Sequence, residues 1–85
     1  MPPTTTTTEI SDWIVGRIEF YGRVPAGSFT VDSPLEDLGL DSIYAMALLS
    51  DIEDTYAVPL EPTIFQEVGS IRQLADGVAS RLPAN

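Results

Sequence analysis

The sequence predicts an all-α fold, a four-helix bundle, and three observations carry that expectation. Apolar residues recur at i, i+3, i+4 and i+7 spacing in separate segments. No segment shows the strict apolar/polar alternation of a half-buried strand, and no internal repeat is present. Cap and stop residues fall where those apolar stripes begin and end. At 85 residues the chain has room for one domain, and a chain of this size buries only about 60% of its unfolded surface, so the core must be small.

Taken in order, Met1-Pro2-Pro3 and Thr4 through Thr8 form a low-complexity opening with nothing apolar to bury beyond the first residue, and residues 1–8 are expected to be a disordered tail. A single domain is expected over 9–82, with 83–85 as a short C-terminal tail. From Glu9, the residues Ile10, Trp13, Ile14, Ile18 and Tyr21 share one helical face, with Thr8 as the expected N-cap and Gly22 as the stop. Arg23 to Leu40 is long for a connection in so small a domain. Within it, Ser33-Pro34-Leu35-Glu36 offers a capping serine, a proline at the first helical position and a glutamate three residues after the cap, which predicts a short helical turn. Val31, Leu35, Leu38 and Leu40 are expected to pin this loop to the bundle.

Asp41 is the expected N-cap of a second helix running to about Ala57, with Ala45, Leu48, Leu49, Ile52 and Tyr56 as its core face. Ile43, Tyr44, Met46 and Ala47 do not all fit that face. One or two of them are expected to be partly buried, and the rest form an apolar patch in water of the kind that marks interaction sites. Pro59 ends the helix. Pro62 is expected in the first turn of a short third helix anchored by Ile64, Phe65 and Val68. Gly69 breaks the chain, and Ser70-Ile71-Arg72-Gln73 reads as a capping box ahead of Ile71, Leu74, Ala75, Val78 and Leu82, the fourth helix.

Composition removes most chemistry. Cysteine, histidine and lysine are all absent, so disulfides, Cys/His zinc sites, catalytic thiols, imidazole triads and Ser-Lys pairs are excluded. No metal site is expected. Thirteen acidic residues against four arginines give a formal charge of −9, which repels nucleic acid and anionic lipid and leaves a monomer with basic partner surfaces as the default. The acidic residues read mainly as a solvated face, with Asp51, Glu53 and Asp54 grouped on the second helix. The longest apolar run, Ile43 to Leu49, is far short of the roughly 20 residues a membrane span needs, and a cytoplasmic location is expected.

Ser42 stands where a leucine-rich loop turns into an apolar helix, and a hydroxyl in a first turn is exposed among unpaired backbone N–H groups near the positive end of the helix dipole. A phosphoryl group attached there is well placed. Over nine positions, Leu35-Glu36-Asp37-Leu38-Gly39-Leu40-Asp41-Ser42-Ile43 resembles the signature of the acyl and peptidyl carrier proteins, and Thr63-Ile64-Phe65 with Ile71 and Leu74 resembles its second half. The resemblance covers 9 to about 82. It implies three major helices with a short third, a 4'-phosphopantetheine arm attached to Ser42, and a second role for Asp41 in holding the transferase's metal ion during attachment. It also implies a non-catalytic protein whose thiol-ended arm presents cargo as thioesters. Partners would be a phosphopantetheinyl transferase, an acyl-activating ligase or acyltransferase, and a condensing or transferring enzyme.

Two departures refine the expectation. Tyr44 and Ala47 stand where fatty-acid-synthesis carriers resemble one another in bearing acidic side chains, which points to a more apolar recognition surface and to polyketide or related secondary metabolism. Leu40 stands where many peptidyl carriers have glycine, favouring acyl cargo. A stand-alone acyl carrier protein is therefore expected. Ile43, Tyr44, Met46, Ala47, Asp51, Glu53 and Asp54 are its candidate partner-binding residues, an aminoacyl or peptidyl carrier is the nearest alternative, and an unmodified helical adaptor a remote one.

Overall fold

Ile10, Ile14 and Ile18 recur every fourth residue, which places them on one stripe of a helix, and in the computed structural model all three are fully buried on α1 (Thr7–Tyr21). The structure describes residues 7–82. After α1 come a 3₁₀ turn (Leu35–Leu38), α2 (Ser42–Tyr56), α3 (Ile64–Glu67) and α4 (Ile71–Ala79), so that among the described residues the architecture is four helices with no strand, as the apolar spacing predicts. The expected tail residues 1–6 and 83–85 lie outside the described residues. Thr7 and Thr8 are already helical, so Thr8 is not the N-cap. A helical threonine carries a penalty of only about 0.7 kcal/mol or less, and the earlier start places Glu9 in the first turn, near the helix's positive end.

The main interface joins α1 to α4, whose Ile71, Leu74, Ala75 and Val78 are buried, and α2 adds Leu48, Leu49 and Ile52. Trp13 and Tyr56 close the side of the bundle with an edge-on ring contact at 5.5 Å. Ala57 terminates α2 in the left-handed conformation (φ 56°), two residues ahead of Pro59. The proline acts indirectly, since it disfavours helical backbone at Val58.

The long connection is stitched to the start of α4. Leu35 N–H donates to the Gly69 carbonyl at 3.0 Å and Arg72 N–H to the Val31 carbonyl at 2.9 Å, while the Arg72 guanidinium grips both oxygens of Asp32 at 2.7 and 3.0 Å. That pairing holds the Asp32 carboxyl below the usual carboxylate range. Leu35 and Leu38 are buried as expected, Val31 and Leu40 are half-buried, and Val24 and Phe29 add further packing from the loop.

Three helix starts differ in detail from the expectation. Ser33 does not cap the 3₁₀ turn: its hydroxyl accepts the Thr30 N–H at 2.9 Å, and Pro34 takes the extended cap position because its backbone bridges to Ser70. Pro62 lies in the turn before α3, which begins at Ile64 and ends on extended Val68, ahead of Gly69. Ser70 caps α4 by accepting the Gln73 N–H at 3.2 Å, but Gln73 reaches back to the Gly69 N–H at 2.7 Å, one residue earlier than a standard capping box.

Candidate functional site

The start of α2 is shaped by a glycine at which any side chain would be strained. Gly39 has φ 71°, and a Cβ there would stand 2.7 Å from the Cβ of Arg23. Backbone handedness and space both require it. The chain then turns so that Asp41, in extended conformation, aims its carboxylate at the helix end, where Oδ1 accepts the N–H groups of Ile43 and Tyr44, each at 3.1 Å. This is the cap the sequence predicts.

Because Asp41 performs the capping, Ser42 occupies the first helical position with its side chain exposed, and its hydroxyl enters no hydrogen bond among the described residues. No imidazole, thiol or amine side chain exists anywhere in the sequence to draw off its proton. What the geometry offers is an accessible primary hydroxyl on a capped helix end.

Of the expected patch, Ile43 and Met46 are exposed (77% and 45%), while Tyr44 and Ala47 are half-buried. Tyr44 leans toward α1, with its ring 5.6 Å from that of Tyr21 and under the Arg23 guanidinium at 5.0 Å. Phe20, 74% exposed, extends this aromatic row and carries the Arg17 guanidinium 4.7 Å above its ring. Sequence reasoning missed Phe20 and Arg23. Phe20 lies off the buried stripe of α1, and the signal for Arg23 was its rarity, as one of four cations in the chain.

The acidic group on α2 is corrected. Asp51 is not a solvated recognition charge: its Oδ2 accepts from Arg17 Nη2 at 2.7 Å and from the Tyr21 hydroxyl at 2.6 Å, tying α2 to α1. Glu53 is also occupied, accepting the Leu60 N–H at 3.1 Å, which leaves Asp54 as the exposed member. Both pairings span segments that sequence spacing alone does not connect. The Tyr21 hydrogen bond, with Arg17 beside it, holds the Asp51 carboxyl below its usual range despite desolvation, and burial, reinforced by Asp51, pushes the Tyr21 phenol up to about 12. Arg17 Nε is buried without a partner, so the pair is single-pronged rather than a closed fork. An open groove of about 190 Å³, lined by Leu35, Glu36, Leu40, Ala45 and Phe65, also borders the start of α2.

A family model described as "Phosphopantetheine attachment site" matches residues 18–78. The chain is 38% identical over 52 residues, 61% of its length, to the polyketide synthase PksL of Bacillus subtilis, and it spans about 1% of that synthase's length. Its fold is similar to the crystal structure of a free-standing peptidyl carrier protein from an uncharacterized secondary metabolic pathway of Acinetobacter baumannii. The two match with a TM-score of 0.77 and 30% identity, over 87% of this chain and 92% of the other.

Proposed function

The chain belongs to the phosphopantetheine attachment family of carrier domains, whose prosthetic group is a covalently attached 4'-phosphopantetheine, and from that premise we propose that it is an acyl carrier protein of a polyketide or related secondary-metabolite pathway, with the group on Ser42. The observation that carries this is the free, exposed Ser42 hydroxyl, left unengaged because Asp41 caps the helix. The residues present fit the group: the attachment oxygen is open to a modifying enzyme, and no side chain has to be displaced from it.

When attached, the group supplies a thiol-ended arm on which cargo is carried as a thioester. The chain's own residues position and present. Asp41 caps the helix end through its two N–H contacts, and its Oδ2, which Arg23 approaches only to 3.9 Å, is offered to the transferase's metal ion during attachment. Exposed Ile43 and Met46, half-buried Tyr44 and Ala47, and exposed Asp54 form the surface offered to the transferase, to an acyl-activating ligase or acyltransferase that loads the thiol, and to a condensing or transferring enzyme that unloads it. Asp51 and Glu53 act inside the fold. The protein itself performs no catalysis in this reading.

Leu40 favours acyl cargo. A second reading, an aminoacyl or peptidyl carrier with the same arm, is supported by the 30% identity to a peptidyl carrier protein. The experiment has two steps. Intact mass after incubation with coenzyme A and a promiscuous phosphopantetheinyl transferase should rise for wild type and stay unchanged for Ser42→Ala; an unmodified wild type would favour the adaptor. The modified protein is then offered to acyl-activating and amino-acid-activating ligases, and thioester formation with amino acids alone would replace the acyl reading by the peptidyl one.

A further inference from the structure

All four cationic side chains are arginines, and three are committed to short hydrogen bonds. Arg17 donates to Asp51 at 2.7 Å, Arg72 grips Asp32 at 2.7 and 3.0 Å, and Arg81 donates to the Gly77 carbonyl at 2.8 Å. Arg23 differs. Its approach to Asp41 Oδ2 is 3.9 Å, longer than a hydrogen bond, with both side chains about half exposed. Yet it is held in place, because its guanidinium lies over the Tyr44 ring at 5.0 Å and its Cβ fills the space beside Gly39. Residues 39, 41 and 44 bracket Ser42, so ring stacking and packing, rather than a closed ion pair, keep a cation at the start of α2.

The backbone there is already engaged. The N–H groups of Ile43 and Tyr44, which a phosphate at a helix end would ordinarily recruit, donate to Asp41 Oδ1. A phosphodiester on Ser42 would add a negative charge beside the Asp41 carboxylate in a chain that already carries −9. The planar guanidinium of arginine suits two phosphate oxygens at once.

Resting on the assignment of the arm to Ser42, we propose that Arg23 is the counter-charge of the phosphodiester. Its loose approach to Asp41 gives way to a pairing with the phosphodiester oxygens once Ser42 is modified, and this fixes the root of the arm against the Tyr44 side of α2.

The test compares wild type, Arg23→Gln, which keeps the packed methylenes, Arg23→Lys and Arg81→Gln, each with and without the arm. The change in melting temperature on modification should be less favourable in Arg23→Gln than in wild type by roughly 2–4 °C. Lysine should recover part of this difference, Arg81→Gln should match wild type, and the difference should close in about 1 M salt. The ³¹P resonance of the phosphodiester should move in Arg23→Gln and not in Arg81→Gln. In wild type itself, the Arg23 Nε–H resonance should shift on modification while that of Arg72 stays. Equal temperature changes and an unmoved ³¹P line, with the mass on Ser42, would overturn the role of Arg23 alone. Absence of added mass, or mass on another residue, would instead remove the attachment assignment and this proposal with it.

Discussion

Two helices of this protein begin with a serine, and the two serines do opposite things. At α4, Ser70 is the cap itself: its hydroxyl accepts the Gln73 N–H at 3.2 Å and is spent on the fold. At α2, the cap is moved one residue back to Asp41, whose carboxylate takes two N–H groups, and Ser42 enters the first turn with nothing to hold. The difference shows how a helix end is kept stable while its hydroxyl stays available. An Asp-Ser pair separates capping from chemistry, whereas a lone serine must choose.

The largest expected effect breaks this comparison cleanly. Ser42→Ala should abolish arm attachment by intact mass while changing stability by no more than about 0.5 kcal/mol in urea unfolding, since an exposed, unbonded hydroxyl contributes little. Ser70→Ala should do the reverse, with full attachment and a loss of about 1 kcal/mol. Next, Gly39→Ala should destabilise by about 2–4 kcal/mol by chemical unfolding, combining a left-handed backbone with the clash against Arg23. Tyr44→Glu should spare attachment yet slow loading or unloading by the cognate partner, and unchanged transfer rates would show that this surface is not used.

The smallest effects concern the tie between α2 and α1, and their signs differ. The Asp51 carboxyl lies lower in the folded protein than its ordinary 3.8, so its contribution is present above that pH and is lost as pH falls below it; Asp51→Asn should lack that part of the acid limb. The Tyr21 phenol is raised from 10.0 to about 12, so its contribution is present below pH 10 and is lost as pH climbs from 10 toward 12. Tyr21→Phe should flatten that alkaline limb in a series of thermal melts.

The isoleucine stripe of α1, the core face of α2 and the Asp41 cap were legible because each is local: apolar spacing and a cap residue state their own geometry. What stayed illegible depends on partners distant in sequence. Ser33 reads as a cap until Pro34 pairs with Ser70, after which its hydroxyl turns back to Thr30. Asp51 reads as a surface charge until folding brings Arg17 to it across 34 residues. Ser42 itself was singled out by its nine-residue context, but that its hydroxyl is unengaged depends on side-chain geometry that the sequence does not state.

Fragmentation of the modified wild-type protein tests the central assignment most directly, because it locates the added mass on a single residue. The expected result is 4'-phosphopantetheine on Ser42 and on no other serine. Mass on Ser33, Ser50 or Ser70, or wild-type protein that takes up no mass under conditions that modify a control carrier, would contradict it.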